Sequence, residues 1–276
     1  IMLKYLFFFF FFSTYILGDS KTIVFAPLPT KDAQELHTQF LPLVDFLEKK
    51  LNVKIKIDHN SDYEKLLAKF INKEIDIAYL GPLPYAYLED RYEYATPLVN
   101  FKNSKGEVSY TCSFVTFIAN DRPIENMIDT KIALTQPLST CGYLFVNSVL
   151  KKLNSDLEKN KYRYLENHDN VALSIIRDDF KYGGLRTDIV EEYDHLGLKE
   201  LYRSSSIPNF ILVGNSETLD PNILEEIKNS ILFAEEKELT LLHKSMKFGA
   251  KEAVNEDYEY LRRILKSSKI SYEGNF

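Results

Sequence analysis

Cysteine is scarce in this sequence, and its scarcity excludes two kinds of architecture. Cys112 and Cys141 are the only cysteines in 276 residues. A framework of several disulfides and a thiolate-rich metal site are therefore excluded. A single bridge between the two cysteines is chemically allowed in an oxidising compartment.

Signatures of metal, serine-hydrolase and nucleotide chemistry are also missing. No H-E-x-x-H, G-x-S-x-G or P-loop motif occurs. The histidines lack metal-ligand spacing along the chain; they are His37, His59, His168, His195 and His243. We therefore expect neither a bound metal nor a cofactor.

An excess of basic residues is absent as well. The chain has 34 Lys and Arg against 40 Asp and Glu, which gives a formal net charge of −6. Nucleic acids and anionic membranes require a basic surface that releases counterions, so neither is an expected partner. An anionic ligand would have to be held by a local arrangement of groups. With 45% hydrophobic residues the composition is that of a globular protein.

One long apolar run stands at the start of the sequence. Lys4 precedes an uncharged stretch that contains the six phenylalanines 7–12 and ends at Gly18. A charged start, a short apolar core and a small final residue are typical of a secretory signal, predicted here as residues 1–18. The alternative is an uncleaved N-terminal anchor, although the run is short for a span of about 20 residues. Either interpretation predicts export.

Short β-rich runs alternate with helical patterns after residue 20. Strands are predicted at 22–26, 53–57 and 75–80. The intervening segments repeat apolar residues at helical spacing, and we expect Pro42 to bend or restart the first helix. Asp62 is a good N-cap for the second helix. This β-α-β-α-β order predicts a mostly parallel sheet flanked by helices.

The same alternation continues through the rest of the chain. Further strands are predicted at 114–119, 131–135 and 210–213, and Pro221 is well placed in the first turn of a helix. No internal repeat and no Gly/Ser linker separates the segments. We therefore expect two α/β lobes joined by crossing strands, near 109–114 and 206–211.

The segment 137–143 is the most specific local feature. It follows a predicted strand and begins a helix, with Ser139 and Thr140 at the junction. A helix start offers unpaired N–H groups and a partial positive charge, and the hydroxyls add donors. Such an end can hold a phosphate-like oxyanion without any Lys or Arg. The alternative is that Ser139 acts only as an N-cap.

Several segments together resemble one family. Residues 24–30, 41–47, 75–83, 139–145 and 167–172 are similar, in order and spacing, to the phosphate/phosphite/phosphonate group of ABC-transporter substrate-binding proteins. The resemblance implies an α/β, two-lobed type II periplasmic-binding-protein fold with mixed sheets and a ligand cleft between the lobes. It places 21–112 and 210–276 in one lobe and 113–209 in the other.

The resemblance also implies a role. The protein would be a periplasmic monomer that captures a small phosphorus oxyanion without catalysis and delivers it to an ABC permease. An alternative on the same fold is a sensor module for a membrane signalling protein. A further alternative is an enzyme in which Cys141 and His168 form a nucleophile and base pair.

The ligand-binding positions carried over from the family come from both lobes and from the crossing strands. They are Tyr63, Tyr110, Ser139, Thr140, Cys141, Gly142, His168, Asp188 and Asn209. Cys141 stands where many members have a serine, which replaces a good hydrogen-bond donor with a weak one. Tyr63 and Tyr110 could instead be packed aromatics, and Asp188 could be an ordinary N-cap.

Two of these positions bear on the choice of ligand. Asp188 falls where aminophosphonate binders carry an acid for the ligand's ammonium, but Asn209 replaces the second acid. A buried ammonium needs compensating negative charge, so an aminophosphonate is a less secure ligand. Phosphite, methylphosphonate and phosphate remain open, with Asp188 accepting a hydrogen bond from a protonated P–OH.

Overall fold

The structure is a computed structural model that describes residues 22–120, 124–125, 127–266 and 270–276. The predicted signal, residues 1–18, lies outside the described residues. The described chain folds into two lobes, and each lobe has a mixed sheet flanked by helices. The predicted α/β fold class is confirmed.

The first lobe contains strands from both ends of the described chain. They are β1 (Ile23–Pro27), β2 (Ile55–Ile57), β3 (Ile77–Leu80), β4 (Ala95–Phe101), β12 (Ile211–Asn215) and β13 (Ala250–Glu252). Within the described residues they form one sheet in the order β13-β4-β12-β3-β1-β2. β1 is parallel to β2 and β3, whereas β12 is antiparallel to β3 and β4.

The helices of this lobe are α1 (Ala33–Leu51), α2 (Tyr63–Ile71), α3 (Pro82–Glu89), α7 (Pro221–Leu232), α8 (Glu236–Leu239) and α9 (Glu259–Lys266). All of them except α8 bury apolar residues. In α1 the predicted face, which includes Leu36, Phe40 and Leu43, lies in the core. The helix continues through Pro42 and does not restart there. Asp62 caps α2 as predicted, because its Oδ1 accepts a hydrogen bond from Lys65 N at 2.8 Å.

The second lobe is built from the middle of the chain. Its strands are β6 (Cys112–Phe117), β7 (Lys131–Leu134), β8 (Lys161–Tyr164), β9 (Tyr182–Arg186) and β10 (Leu198–Arg203). In the described residues their order is β10-β6-β9-β7-β8, with β7 parallel to both β8 and β9. The helical segments are a π-helical turn (Thr140–Phe145), α4 (Val146–Lys152), α5 (His168–Ile176) and α6 (Thr187–Tyr193).

Two short strands connect the lobes. β5 (Ser109–Tyr110) and β11 (Ile207–Pro208) pair antiparallel, with Ile207 opposite Tyr110. Both strands fall inside the predicted crossing segments. Residues 270–276 form a further connection, because they leave the first lobe and pack on β8, where Asn275 Oδ1 accepts a hydrogen bond from Tyr162 N at 2.8 Å.

None of the helices in the described residues combines the length and the apolar character that crossing a bilayer demands.

Candidate ligand-binding site between the lobes

A small cavity of about 20 Å³ lies where the two lobes meet beside the paired crossing strands. It is smaller than the pockets that hold drug-sized ligands, which are several hundred Å³, so it suits a compact ligand. Its walls come from both lobes and from the connection between them. The lining residues are Leu28, Tyr63, Gly81, Pro84, Tyr110, Ser139, Thr140, Cys141, His168, Arg186 and Phe210.

The predicted helix start forms one wall of the cavity. Ser139 is the N-cap of the π-helical turn, and its Oγ accepts a hydrogen bond from Gly142 N at 3.0 Å. The N–H groups of Thr140 and Cys141 lie in the first turn, where the helix offers them no carbonyl acceptor, so they can donate to a ligand. Gly142 is required for the close approach to the sheet, since a Cβ atom there would lie 2.8 Å from Thr135 N.

Thr140 links this wall to the first lobe and to the crossing strand. Its Oγ1 accepts a hydrogen bond from Leu83 N, at the start of α3, at 3.1 Å. Its hydroxyl also interacts with the hydroxyl of Tyr110. Burial raises the pKa of Tyr110 to about 12. The Tyr110 phenol is therefore protonated at neutral pH and can donate a hydrogen bond to an anion.

Tyr63 is placed by the start of α2 and by Gln136. The side chain of Tyr63 is buried, and burial raises the pKa of its phenol above the ordinary value. Its backbone N donates to Gln136 Oε1 at 3.0 Å. Gln136 Nε2 donates to Pro29 O at 3.1 Å, so this second-lobe side chain contacts two segments of the first lobe.

His168 faces the cavity from the first turn of α5. Burial, together with the positive charge of Arg186, lowers the pKa of its imidazole to about 4. The ring is therefore neutral at pH 7. Its Nδ1 is buried and has no hydrogen-bond partner among the described residues. A neutral imidazole can donate or accept one hydrogen bond at each nitrogen, according to the tautomer.

The two cysteines form a disulfide bridge. Cys112, at the start of β6, is bonded to Cys141, with their Cα atoms 5.1 Å apart. The bridge fastens the π-helical turn to the strand that leads out of the crossing segment. It also removes the thiol of Cys141, which can serve neither as the weak donor expected from the sequence nor as a nucleophile paired with His168.

The sequence analysis missed Arg186, which lines the cavity at the end of β9. The Arg186 guanidinium carbon lies 5.2 Å from the ring centroid of Tyr110 and 5.3 Å from that of Phe210. The sequence-based list of ligand-binding positions contained no arginine. Ligands bind at the carboxyl ends of strands in parallel sheets, so an arginine that ends a buried strand was the available signal.

Three of the expected site residues are not among those that line the cavity. Asp188 pairs with Arg186, with Oδ2 2.7 Å from Nη2 and Oδ1 3.0 Å from Nε. Partial burial raises the pKa of Asp188, but the Arg186 charge outweighs it and holds the pKa below the ordinary value. The N–H of Gly142 is used by Ser139. Asn209 Nδ2 donates to Phe101 O at 2.9 Å, and its Oδ1 accepts from Phe210 N.

Within the described residues, no group of three or more His, Cys, Asp or Glu side chains is arranged to hold a metal ion.

A wider depression of about 550 Å³ lies on the second lobe, and Arg163 and Phe276 are among its lining residues. The Arg163 guanidinium there lies 4.7 Å from the Phe276 ring centroid. That depression lacks the convergence of both lobes that defines the smaller cavity.

Two curated proteins are similar to this chain in sequence. The chain is 24% identical over 242 residues to the phosphate-import protein PhnD of Mycolicibacterium smegmatis, covering 81% of this chain and 74% of that protein. It is 27% identical over 239 residues to the phosphonates-binding periplasmic protein of Escherichia coli, covering 79% of this chain and 69% of that protein.

Solved structures share the fold. PhnD1 of Prochlorococcus marinus, in complex with methylphosphonate, superposes with a TM-score of 0.76 at 16% identity, covering 91% of this chain and 100% of that one. A binding protein of a phosphonate ABC transporter from Pseudomonas aeruginosa superposes with a TM-score of 0.74 at 18% identity, covering 90% of this chain and 86% of that one.

The family comparison covers most of the chain. The model described as "ABC transporter, phosphonate, periplasmic substrate-binding protein" matches residues 25–258. This range includes both crossing strands, every residue that lines the cavity, and both sheets except the first two residues of β1. The chain therefore belongs to the periplasmic substrate-binding proteins of phosphonate ABC transporters.

Proposed function

We propose that the interlobe cavity binds one small phosphorus oxyanion, with Tyr63, Tyr110, Ser139, Thr140 and His168 as hydrogen-bonding residues. The observation that carries the proposal is the convergence of these polar groups from both lobes on one small cavity. Hydroxyl, imidazole and backbone N–H donors suit the tetrahedral oxygens of a phosphonate, phosphite or phosphate.

Closure of the lobes would retain the ligand. Water is excluded from such a cavity, so hydrogen bonds to the anion are stronger there than at the surface. The ligand shifts the population towards the closed state because it contacts both lobes only in that state. The hydrogen bonds of Gln136 to Pro29 O and Tyr63 N, and that of Leu83 to Thr140, hold the lobes together.

The closed form would then be the species that the permease recognises. The exported protein acts as a monomer, and it binds its ligand without changing it. The disulfide supports export, because such bonds persist in oxidising compartments such as the periplasm.

A thermal-shift panel tests this function. Phosphate, phosphite, methylphosphonate, 2-aminoethylphosphonate, sulfate and an alkylsulfonate are each added to the chain that begins after residue 18. A bound ligand at 100 times its Kd stabilises the folded state by about 2.7 kcal/mol. We expect at least one phosphorus oxyanion to raise Tm and sulfate to raise it less. The proposal is wrong if no phosphorus compound raises Tm.

The position of the site is tested by a matched pair of variants. Thr140→Ala removes a hydroxyl that lines the cavity, whereas Thr38→Ala removes an exposed hydroxyl of α1 that donates to Gln34 O. We expect Thr140→Ala to abolish most of the ligand-induced rise in Tm and Thr38→Ala to leave it unchanged. Equal responses of the two variants would place the site elsewhere.

A further inference from the structure

Arg186 has hydrogen-bonding capacity that its partner does not use. Its Nε and Nη2 donate to the two carboxylate oxygens of Asp188 at 3.0 and 2.7 Å. A guanidinium group has five N–H donors in a rigid plane. The pair with Asp188 occupies two of them, so three remain for another acceptor.

The charge of Arg186 is not balanced inside the cavity. Arg186 is the one cationic side chain among the lining residues, and those residues include no carboxylate. Its partner Asp188 lies towards solvent, with 54% of its side chain exposed against 26% for Arg186. The one anionic partner of Arg186, Asp188, lies on its solvent side, so an anion in the cavity would add a second acceptor on the side where the guanidinium is shielded from water.

Two aromatic rings hold the guanidinium in place. The guanidinium carbon lies 5.2 Å from the Tyr110 ring centroid and 5.3 Å from the Phe210 ring centroid, and cations are attracted to ring faces at such distances. Tyr110 and Phe210 also line the cavity. The guanidinium is thus ordered before a ligand arrives, which lowers the entropic cost of binding.

We propose that Arg186 is a ligand-binding residue of this cavity and that it selects small phosphorus oxyanions without an amino group over amine-bearing ones. The inference rests on the proposed function and adds the substrate class. An ammonium group in this cavity would meet the guanidinium and no lining carboxylate, because Asp188 is already paired with Arg186. Like charges in a desolvated site repel, and such repulsion is a common source of specificity.

A purely structural role for Arg186 makes a different prediction. If Arg186 only anchored Asp188 at the start of α6, its loss would lower stability and leave ligand preference unchanged. The Kd of 2-aminoethylphosphonate divided by the Kd of methylphosphonate separates these roles, since a general loss of folded protein affects both ligands equally.

Calorimetric titrations with methylphosphonate and 2-aminoethylphosphonate provide the test. Arg186→Gln should weaken methylphosphonate binding by about 10- to 150-fold, the range expected for a hydrogen-bonded charge. Binding of 2-aminoethylphosphonate should weaken much less or improve. The Kd of 2-aminoethylphosphonate divided by the Kd of methylphosphonate should therefore fall at least about tenfold. Arg186→Lys keeps the charge without the planar fork, and its methylphosphonate affinity should lie between the two.

A matched control exists on the same lobe. Arg177 also pairs with an aspartate two positions later, with its Nε 3.1 Å from Asp179 Oδ2, but it lies outside the cavity. Arg177→Gln should leave both affinities unchanged. If Arg186→Gln folds poorly, the double variant Arg186→Gln/Asp188→Asn removes both charges and should show the same fall in the ratio.

Distinct results overturn the inference and the function beneath it. The inference fails if wild type binds methylphosphonate and Arg186→Gln, or the folded double variant, binds it within threefold of wild type. It also fails if the ratio does not fall, or if Arg177→Gln gives the same loss. The proposed function itself fails if wild type binds none of the phosphorus oxyanions.

Discussion

The side-chain oxygen of Gln136 accepts a hydrogen bond from the backbone N of Tyr63 across the gap between the lobes, at 3.0 Å. Gln136 lies in the loop after β7, and Tyr63 begins α2 in the opposite lobe. The same side chain donates to Pro29 O at 3.1 Å. One buried amide thus couples closure of the lobes to the position of a residue that lines the cavity.

Replacement of Gln136 by alanine should weaken ligand binding, although Gln136 does not itself line the cavity. The variant removes two interlobe hydrogen bonds, each worth about 0.5–1.5 kcal/mol net, so the ligand Kd should rise about 5- to 150-fold. Calorimetry measures this change, and small-angle scattering should detect a more open average shape. Gln39→Ala is the control, since Gln39 Nε2 contacts Ser245 within the first lobe. Equal affinities for both variants would show that Gln136 does not support closure.

Reduction of the disulfide should destabilise the second lobe. Cys112 and Cys141 are 29 residues apart. A loop of that length corresponds to about 3–4 kcal/mol of unfolded-state entropy. Urea unfolding with and without a reductant measures the loss, which should move the midpoint to lower urea. The double variant Cys112→Ala/Cys141→Ala should have the same urea midpoint with and without the reductant. A wild-type midpoint that does not change on addition of the reductant would contradict a stabilising role of the disulfide.

His168 should make stability depend on pH. Its pKa is about 4 in the folded state and 6.5 when exposed, so the unfolded chain binds a proton first as pH falls. Stability is therefore fully present above pH 6.5 and decreases towards pH 4, by at most about 3 kcal/mol.

Unfolding of His168→Gln measures that contribution. The variant lacks the titrating ring, so its free energy of unfolding should fall less than that of wild type over the same pH range. His195→Gln, at an exposed position, should retain the wild-type pH dependence. If His168→Gln leaves the pH dependence of stability unchanged, the difference in proton binding between folded and unfolded chains comes from groups other than His168.

Asn209→Asp should lower stability and leave ligand preference unchanged. Asn209 Nδ2 donates to Phe101 O, and a carboxylate cannot make that bond. The loss of a buried donor facing a carbonyl costs about 1–3 kcal/mol. Thermal unfolding measures the cost, and calorimetry with methylphosphonate and 2-aminoethylphosphonate measures the preference. A gain for the amine-bearing ligand would show that residue 209 reaches the ligand after all.

Local signals predicted most of the fold. The buried face of α1, the cap at Asp62 and the start of α7 at Pro221 follow from side-chain spacing and from the chemistry of individual residues. The helix start at Ser139 could also be predicted from the sequence, because a serine hydroxyl can cap such a turn, as the Ser139 hydroxyl does here. Such features depend on neighbours in sequence, so a single chain is enough to reveal them.

The remaining site features depend on contacts between distant segments. Arg186 acquires its surroundings only when β9, the crossing strand with Tyr110 and the residue Phe210 come together. Asn209 illustrates a different limit, namely side-chain direction. Neighbouring residues of an extended segment point to opposite sides, so Phe210 lines the cavity while Asn209 bonds to the backbone. Spacing alone located this segment but not the residue that lines the cavity.

Calorimetric titration of methylphosphonate into wild type and into Ser139→Ala/Thr140→Ala is the sharpest test of ligand binding between the lobes. The account predicts one binding site per wild-type chain and a Kd at least about 30-fold higher in the double variant, since two hydroxyls of the cavity wall are lost. The absence of heat with methylphosphonate, phosphite and phosphate, or equal affinity in both proteins, would contradict it.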